Sequence, residues 1–286
     1  MIKDVFNAFK AATRRLLQSW RALLIMLALY LAMIGSVYLF FSTREATIGQ
    51  VVVTFALGIL APFLWLVIQG MAVGYASEDR AGKLLVRSLA DFWKLALIAI
   101  PLFLVVGLAV YYLGSVESKL MQETVRSVAA PRRLPLARVP AVRSAPWQAI
   151  ALSTLQYLLL LLVLPLALIH LRIDAASTGL KTAFKRFPVT FAKAFAPRSV
   201  LVYAIGFVLF AIVPYFLITR RTPVTSPWLD VSLLGVRLTL AVLFSLIGWV
   251  VTVAALTRLA TGKPAAAEEL DNRRFNQGTE HVPAES

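Results

Sequence analysis

The chain has 286 residues, 59% of them hydrophobic, with a mean hydropathy of +0.79 and a formal net charge of +15. That apolar share lies above the soluble average, and the lack of cysteine excludes disulfides, thiol catalysis and zinc–thiolate sites. The excess cations flank apolar runs and are not interleaved with aromatic platforms, which argues for anionic lipid headgroups as partners and against nucleic acid.

The first element predicted is a surface helix. Ile2, Val5, Phe6, Phe9, Thr13, Leu16, Leu17 and Trp20 recur at helical spacing, with Lys3, Lys10, Arg14 and Arg21 on another face. Such a helix lies in the membrane interface with its cations toward phosphates. An apolar run over 23–41 follows. It is longer than a signal-peptide core and leads into Ser42-Thr43-Arg44 without a small-x-small cleavage pattern, so it reads as an uncleaved first span.

The second span is expected over 51–73. It carries Pro62 and Gln69 and ends on Gly70-x-x-x-Gly74, a spacing that lets another helix approach closely. Glu78-Asp79-Arg80 reads as a solvated turn. A second surface helix then sets Lys83, Arg87, Asp91 and Lys94 against Leu85, Leu89, Phe92 and Trp93. The third span, 95–113, contains Pro101. The connection 114–148 is basic, with a helix-compatible first half and a proline-rich second half, and is expected as an extracytoplasmic loop. Its charge runs against the rule that Lys and Arg collect on the cytoplasmic side.

The fourth span, 150–169, carries Gln156 and Pro165. A third surface helix places Phe184, Phe187, Phe191 and Phe195 against Lys181, Lys185 and Lys193, and Pro188 is expected to break it. The fifth span, 200–218, contains Pro214, and the sixth covers 238–256. Arg237 stands at the start of the sixth, seven residues after Asp230; it either marks a substrate path or snorkels to the interface. The tail, 261–286, is expected to be disordered after Gly262-Lys263-Pro264. Gln69 and Gln156 suit hydrogen bonds between helices.

Each run is long enough for the roughly 30 Å hydrocarbon layer, which about 20 helical residues cross. The fold class expected is an all-α membrane protein, 1–260, with six spans and three interfacial helices, arranged as three helix-plus-hairpin repeats. Ala8-Phe9-Lys10 and Ala183-Phe184-Lys185 share wording across two of these units. Cations crowd the segments before the first, third and fifth spans, which places both termini in the cytoplasm. With no N-x-[ST] sequon, a bacterial inner membrane is expected. These basic, Phe-rich surface helices alternating with proline-containing hairpins resemble the membrane domain attached to some glycerophosphodiester phosphodiesterases. The resemblance implies fold alone, because the catalytic domain of those enzymes, with its His and acidic metal ligands, has no counterpart in this sequence.

Chemistry is sparse. The two histidines, His170 and His281, stand apart, the carboxylates are scattered, and no nucleotide, metalloprotease or nucleophile-elbow motif is present. No cofactor or metal is expected. The residues expected at lipid headgroups are Lys10, Arg14, Arg21, Lys83, Arg87, Lys181 and Lys185, and the function expected is non-catalytic organisation of anionic lipids or partner proteins. The alternative is a transporter or permease subunit. Asp174-Ala175-Ala176 with Gly179 is similar to the coupling loop of ATP-driven importer permeases across 174–198, although the glycine comes one residue early and the Ile-x-Leu-Pro ending is missing. A membrane-embedded lipid enzyme ranks last.

Overall fold

A backbone in hydrocarbon has no water to bond to, so apolar runs of this length must close their hydrogen bonds internally as helices. The computed structural model describes residues 2–43, 47–75, 81–129, 147–220 and 226–261, the side chains of 123–129 excepted. The Glu78-Asp79 pair, the proline-rich half of the third connection and the tail beyond Thr261 lie outside the described residues.

Among the described residues there are ten helices and no strand. They are α1 (Ile2–Gln18), α2 (Trp20–Ser42), α3 (Ile48–Gly74), α4 (Ala81–Ala90), α5 (Phe92–Ala129), α6 (Trp147–Thr178), α7 (Leu180–Lys185), α8 (Phe187–Ala194), α9 (Pro197–Thr219) and α10 (Pro227–Thr261). Six of them (α2, α3, α5, α6, α9 and α10) are long and apolar enough to cross a membrane, as befits a multi-pass membrane protein.

Several helices outrun their apolar cores. The third span continues to Ala129, so the connection expected from Gly114 begins later. Its extension, Ser115–Val128, holds Glu, Lys, Leu, Met and Gln, all good helix formers, and meets no proline before Pro131. The fourth span continues through Asp174 to Thr178. It stops at Gly179, whose φ of +85° favours a residue without a side chain. The break expected at Pro188 falls at Arg186, between α7 and α8, because a proline has no amide to donate and its ring clashes with the carbonyl four residues earlier, so it fits the first turn of a helix.

The chain divides into two compact units, 1–96 with 169–286, and 97–168. In the first unit the sixth span is the hub. It packs on α1 and on the first, second and fifth spans, and half of its most apolar window is buried, against 11% for the first span. Burial gathers at one end of the spans: Ala22 and Met26, then 64–73, Ser199 to Gly206, and 246–257. At the other end Phe41, Ile48 and Trp228 are at least 80% exposed, as side chains facing lipid would be. In the second unit, Gln156 Nε2 donates to Glu117 Oε2 at 3.0 Å, joining the fourth span to the extension of the third.

Two prolines act through a widened turn. Leu159–Val163 and Val208–Ile212 are π-helical, and each ends two residues before Pro165 or Pro214. A π turn moves the carbonyls out of the way of a ring that cannot accept the α-helical register.

The second span begins with a capping box. Gln50 N donates to Thr47 Oγ1 at 3.3 Å, and Thr47 N donates to Gln50 Oε1 at 3.0 Å. Replacing Thr47 by Ala is expected to lower stability by about 0.5–1 kcal/mol, because one amide loses its acceptor. Amide exchange over 48–51 in detergent should quicken; unchanged protection there would show that the cap is not formed.

Candidate functional site

The short helices before the first, third and fifth spans each turn one face inward. On α1, Val5, Ala8, Ala12 and Leu16 are buried against the bundle, while Ile2, Phe6 and Leu17, and Trp20 at the start of α2, are 60–75% exposed. On α4, Leu84 and Ser88 are buried, while Val86 and Leu89 are exposed. On α7 and α8, Ala183, Thr190 and Ala194 are buried, while Phe184 and Val189 are exposed. The sequence divides each helix into an apolar and a basic face. The structure adds a third face, mostly of small residues, that packs inward. Small side chains let helices approach closely, which suits helix contacts in lipid.

Short corners join these helices to the spans. Ser19 is the one-residue break between α1 and α2, and Asp91 is that between α4 and α5. The Tyr75 hydroxyl donates to the carbonyl of Arg15 at 2.8 Å and meets the Ser19 hydroxyl, tying the end of the second span to the first corner. Asp91 accepts from Lys94 Nζ at 2.6 Å and lies 3.9 Å from Arg87 Nε. Thr190 Oγ1 donates to Asp174 Oδ2 at 2.8 Å, holding α8 against the end of the fourth span. The segment expected as a coupling loop thus consists of the last turn of the fourth span, α7, α8 and the start of the fifth span.

The expected headgroup residues Lys10, Arg14, Arg21, Lys83, Arg87, Lys181 and Lys185 are all exposed. Arg87 also lines a cavity of about 170 Å³ where the second, fourth and sixth spans end. The other polar residues of its wall are Ser88, Asp91, Arg172, Ser177, Thr257 and Thr261. Gly70 and Gly74, one turn apart, make room for α4. A Cβ at Gly74 would lie 2.8 Å from Leu84 Cδ1; one at Gly70 would lie 3.0 Å from Ser88 Cβ and 2.8 Å from Arg172 Nη2. The close contact expected from the glycine pair is therefore made by α4 and by Arg172.

Arg172 is the residue that the sequence reading missed. It stands three positions beyond the apolar core 150–169 and looks like an ordinary interfacial cation. The signal was the absence of a helix breaker before Gly179, which leaves Arg172 about 10 Å inside the helix at 1.5 Å per residue. Its Nε is buried without a hydrogen-bond partner among the described residues, as are Nε2 of Gln69 and Nε2 of His170. Gln69 thus makes no bond through its amide nitrogen, whereas Gln156 bonds Glu117 as a polar link between helices should.

Arg237 takes no part in the cavity. Its Nη1 donates to the carbonyl of Arg220, at the end of the fifth span, at 2.5 Å. A guanidinium suits this place, where terminal carbonyls lack partners and the helix dipole is negative. Among the described residues no group of His, Asp and Glu is placed to hold a metal ion. In comparisons with known proteins, no family model, no curated protein and no solved structure matches the chain.

Proposed function

We propose that this chain is a non-catalytic integral membrane protein that gathers anionic lipids around three basic surface helices. The observation that carries the reading is the division of each helix into a packed small-residue face and an exposed bulky one. Ile2, Phe6 and Leu17 on α1, Trp20 at the start of α2, Val86 and Leu89 on α4, and Phe184 and Val189 on α7 and α8 are apolar and exposed beside Lys and Arg. In water such faces would associate; at a membrane surface they sink between acyl chains while the cations meet phosphates. Short helices before the first, third and fifth spans support three helix-plus-hairpin units. The charge distribution supports cytoplasmic termini in a bacterial inner membrane.

The transporter reading has less support. A coupling element must present itself to an ATPase, whereas here Asp174 holds Thr190, and Thr190 and Ala194 are buried.

The test is lipid enrichment. Protein reconstituted in mixed phosphatidylcholine and phosphatidylglycerol bilayers, then extracted gently, should carry more phosphatidylglycerol than the bulk. The K10Q/R14Q/R21Q variant should carry less, by up to roughly fivefold for each cation at about 1 kcal/mol apiece. Co-purified lipid that matches the bulk ratio for both proteins would overturn the reading.

A further inference from the structure

The surface helices explain the exposed cations and leave Arg172 without an explanation. The Nε of Arg172 is buried without a hydrogen bond, so it loses hydration, and the charge of nearby Asp91 supplies no hydrogen bond to replace it there. Gln69 and His170 also bury unpartnered nitrogens, but neither lines this cavity; Arg172 does. Native structures leave few such atoms without a partner, and a bound water or ion is a common reason for one.

We propose that the cavity between Arg87 and Arg172 is a binding site for a phosphate-bearing anion. Two guanidinium groups offer planar forks that match phosphate oxygens. Ser88 adds a hydroxyl, 3.1 Å from where a Gly70 side chain would begin. Asp91 is the acid in the wall, and Lys94 at 2.6 Å offsets its charge. The volume of about 170 Å³ is well above the roughly 10–15 Å³ that a single water needs. That leaves room for a phosphate group with waters beside the two guanidinium groups.

Three helix C-termini point here, and each carries about half a negative charge. That effect opposes an anion, but it is weakened by the chain itself. Ser177 and Thr178 donate to the carbonyl of Asp174, and Thr261 donates to that of Thr257. Two full charges on Arg87 and Arg172 outweigh what is left. The proposal rests on the reading above for placing the cavity at a membrane surface.

The experiment uses the full chain in nonionic detergent, titrated calorimetrically with dioctanoyl phosphatidylglycerol and separately with inorganic phosphate. Saturable binding of at least one probe is expected, weakened about tenfold or more in R172Q and in R87Q, where a charge-assisted hydrogen bond is lost. G70A should weaken it too, by pressing a methyl group on Arg172 while leaving every charge in place. Arg87 is 58% exposed, so R87Q cannot be dismissed as a folding defect even if R172Q fails to fold. Binding of the lipid alone assigns the site to a headgroup; competition by millimolar phosphate assigns it to a free anion. No saturable binding of either probe, or equal binding by wild type, R87Q and G70A, would overturn the proposal. G35A, with open space around its added methyl group, is expected to bind as wild type does. A loss confined to K10Q/R14Q would sink this site and leave the lipid-gathering reading standing; a loss confined to R87Q and R172Q, with bulk-like lipid around wild type, would do the reverse.

Discussion

Gly206→Leu is expected to be the most damaging single substitution in the bundle, costing more than about 3 kcal/mol, with Gly206→Ala costing about 1–3. A Cβ at Gly206 would stand 2.7 Å from Thr252 Cβ, with the Thr252 hydroxyl closer still. Thr252 cannot step aside. It is completely buried, β-branched, and bonded through Oγ1 to the carbonyl of Gly248 at 2.5 Å. Gly248 in turn faces the backbone of the fifth span, with Phe210 N 2.9 Å and Leu209 C 3.1 Å from where its Cβ would be. The fifth and sixth spans thus exchange glycines, each presenting bare backbone to the other, and a side chain at either must part the helices. Gly35 is the internal control. It lies in the first span with nothing within 4 Å of a Cβ, so Gly35→Ala should be neutral or stabilising by up to about 1 kcal/mol. The measurement is the unfolding midpoint in a detergent titration. T252G should recover part of the loss in G206A, giving a coupling above about 0.5 kcal/mol. Equal midpoints for G206A and G35A would show that the two spans do not meet as described.

How much of this was legible beforehand differs from one feature to the next. The spans were legible because length and apolarity are local properties and the bilayer acts on each run separately. Their ends were not, since Ser115–Val128 and Arg172–Thr178 are polar enough to read as connections yet contain no residue that stops a helix. Gly70 and Gly74 were recognisable as a close-packing pair, but nothing in the spacing named α4 and Arg172 as the partners. The surface helices were read as two-faced because Ala8, Ala12, Ser88 and Ala183 carry little weight on a hydropathy scale. In lipid, small residues pack well, so a hydropathy scale alone does not show the packed face. Arg237 could be read from the sequence as a path residue or a snorkelling cation, and what spacing did not name was its partner, the carbonyl of Arg220. The cavity depends on contacts among three helix ends far apart in sequence, which single-segment reasoning does not reach.

Ser245→Ala should lower stability by about 1–2 kcal/mol, and the loss should nearly vanish in a Pro214→Ala background. Proline at 214 removes the amide that would serve the carbonyl of Phe210, four residues earlier. The π turn at Val208–Ile212 relieves the ring clash, while Pro214 itself still offers no amide. Ser245 Oγ, from the sixth span, donates to the Phe210 carbonyl at 3.1 Å. A membrane helix can thus carry a proline because a neighbour answers the freed backbone group. Trp249 packs edge-on against Phe210 with ring centroids 5.0 Å apart and keeps the same turn in place. Alanine at 245 keeps the packing and removes only the donor, so the change isolates one hydrogen bond. Alanine at 214 returns the amide and makes the hydroxyl redundant. A double-mutant cycle over the two sites, read from unfolding midpoints, should give a coupling of about 1 kcal/mol. Additive losses would mean that Ser245 acts by packing alone and that the Phe210 carbonyl is satisfied within its own helix.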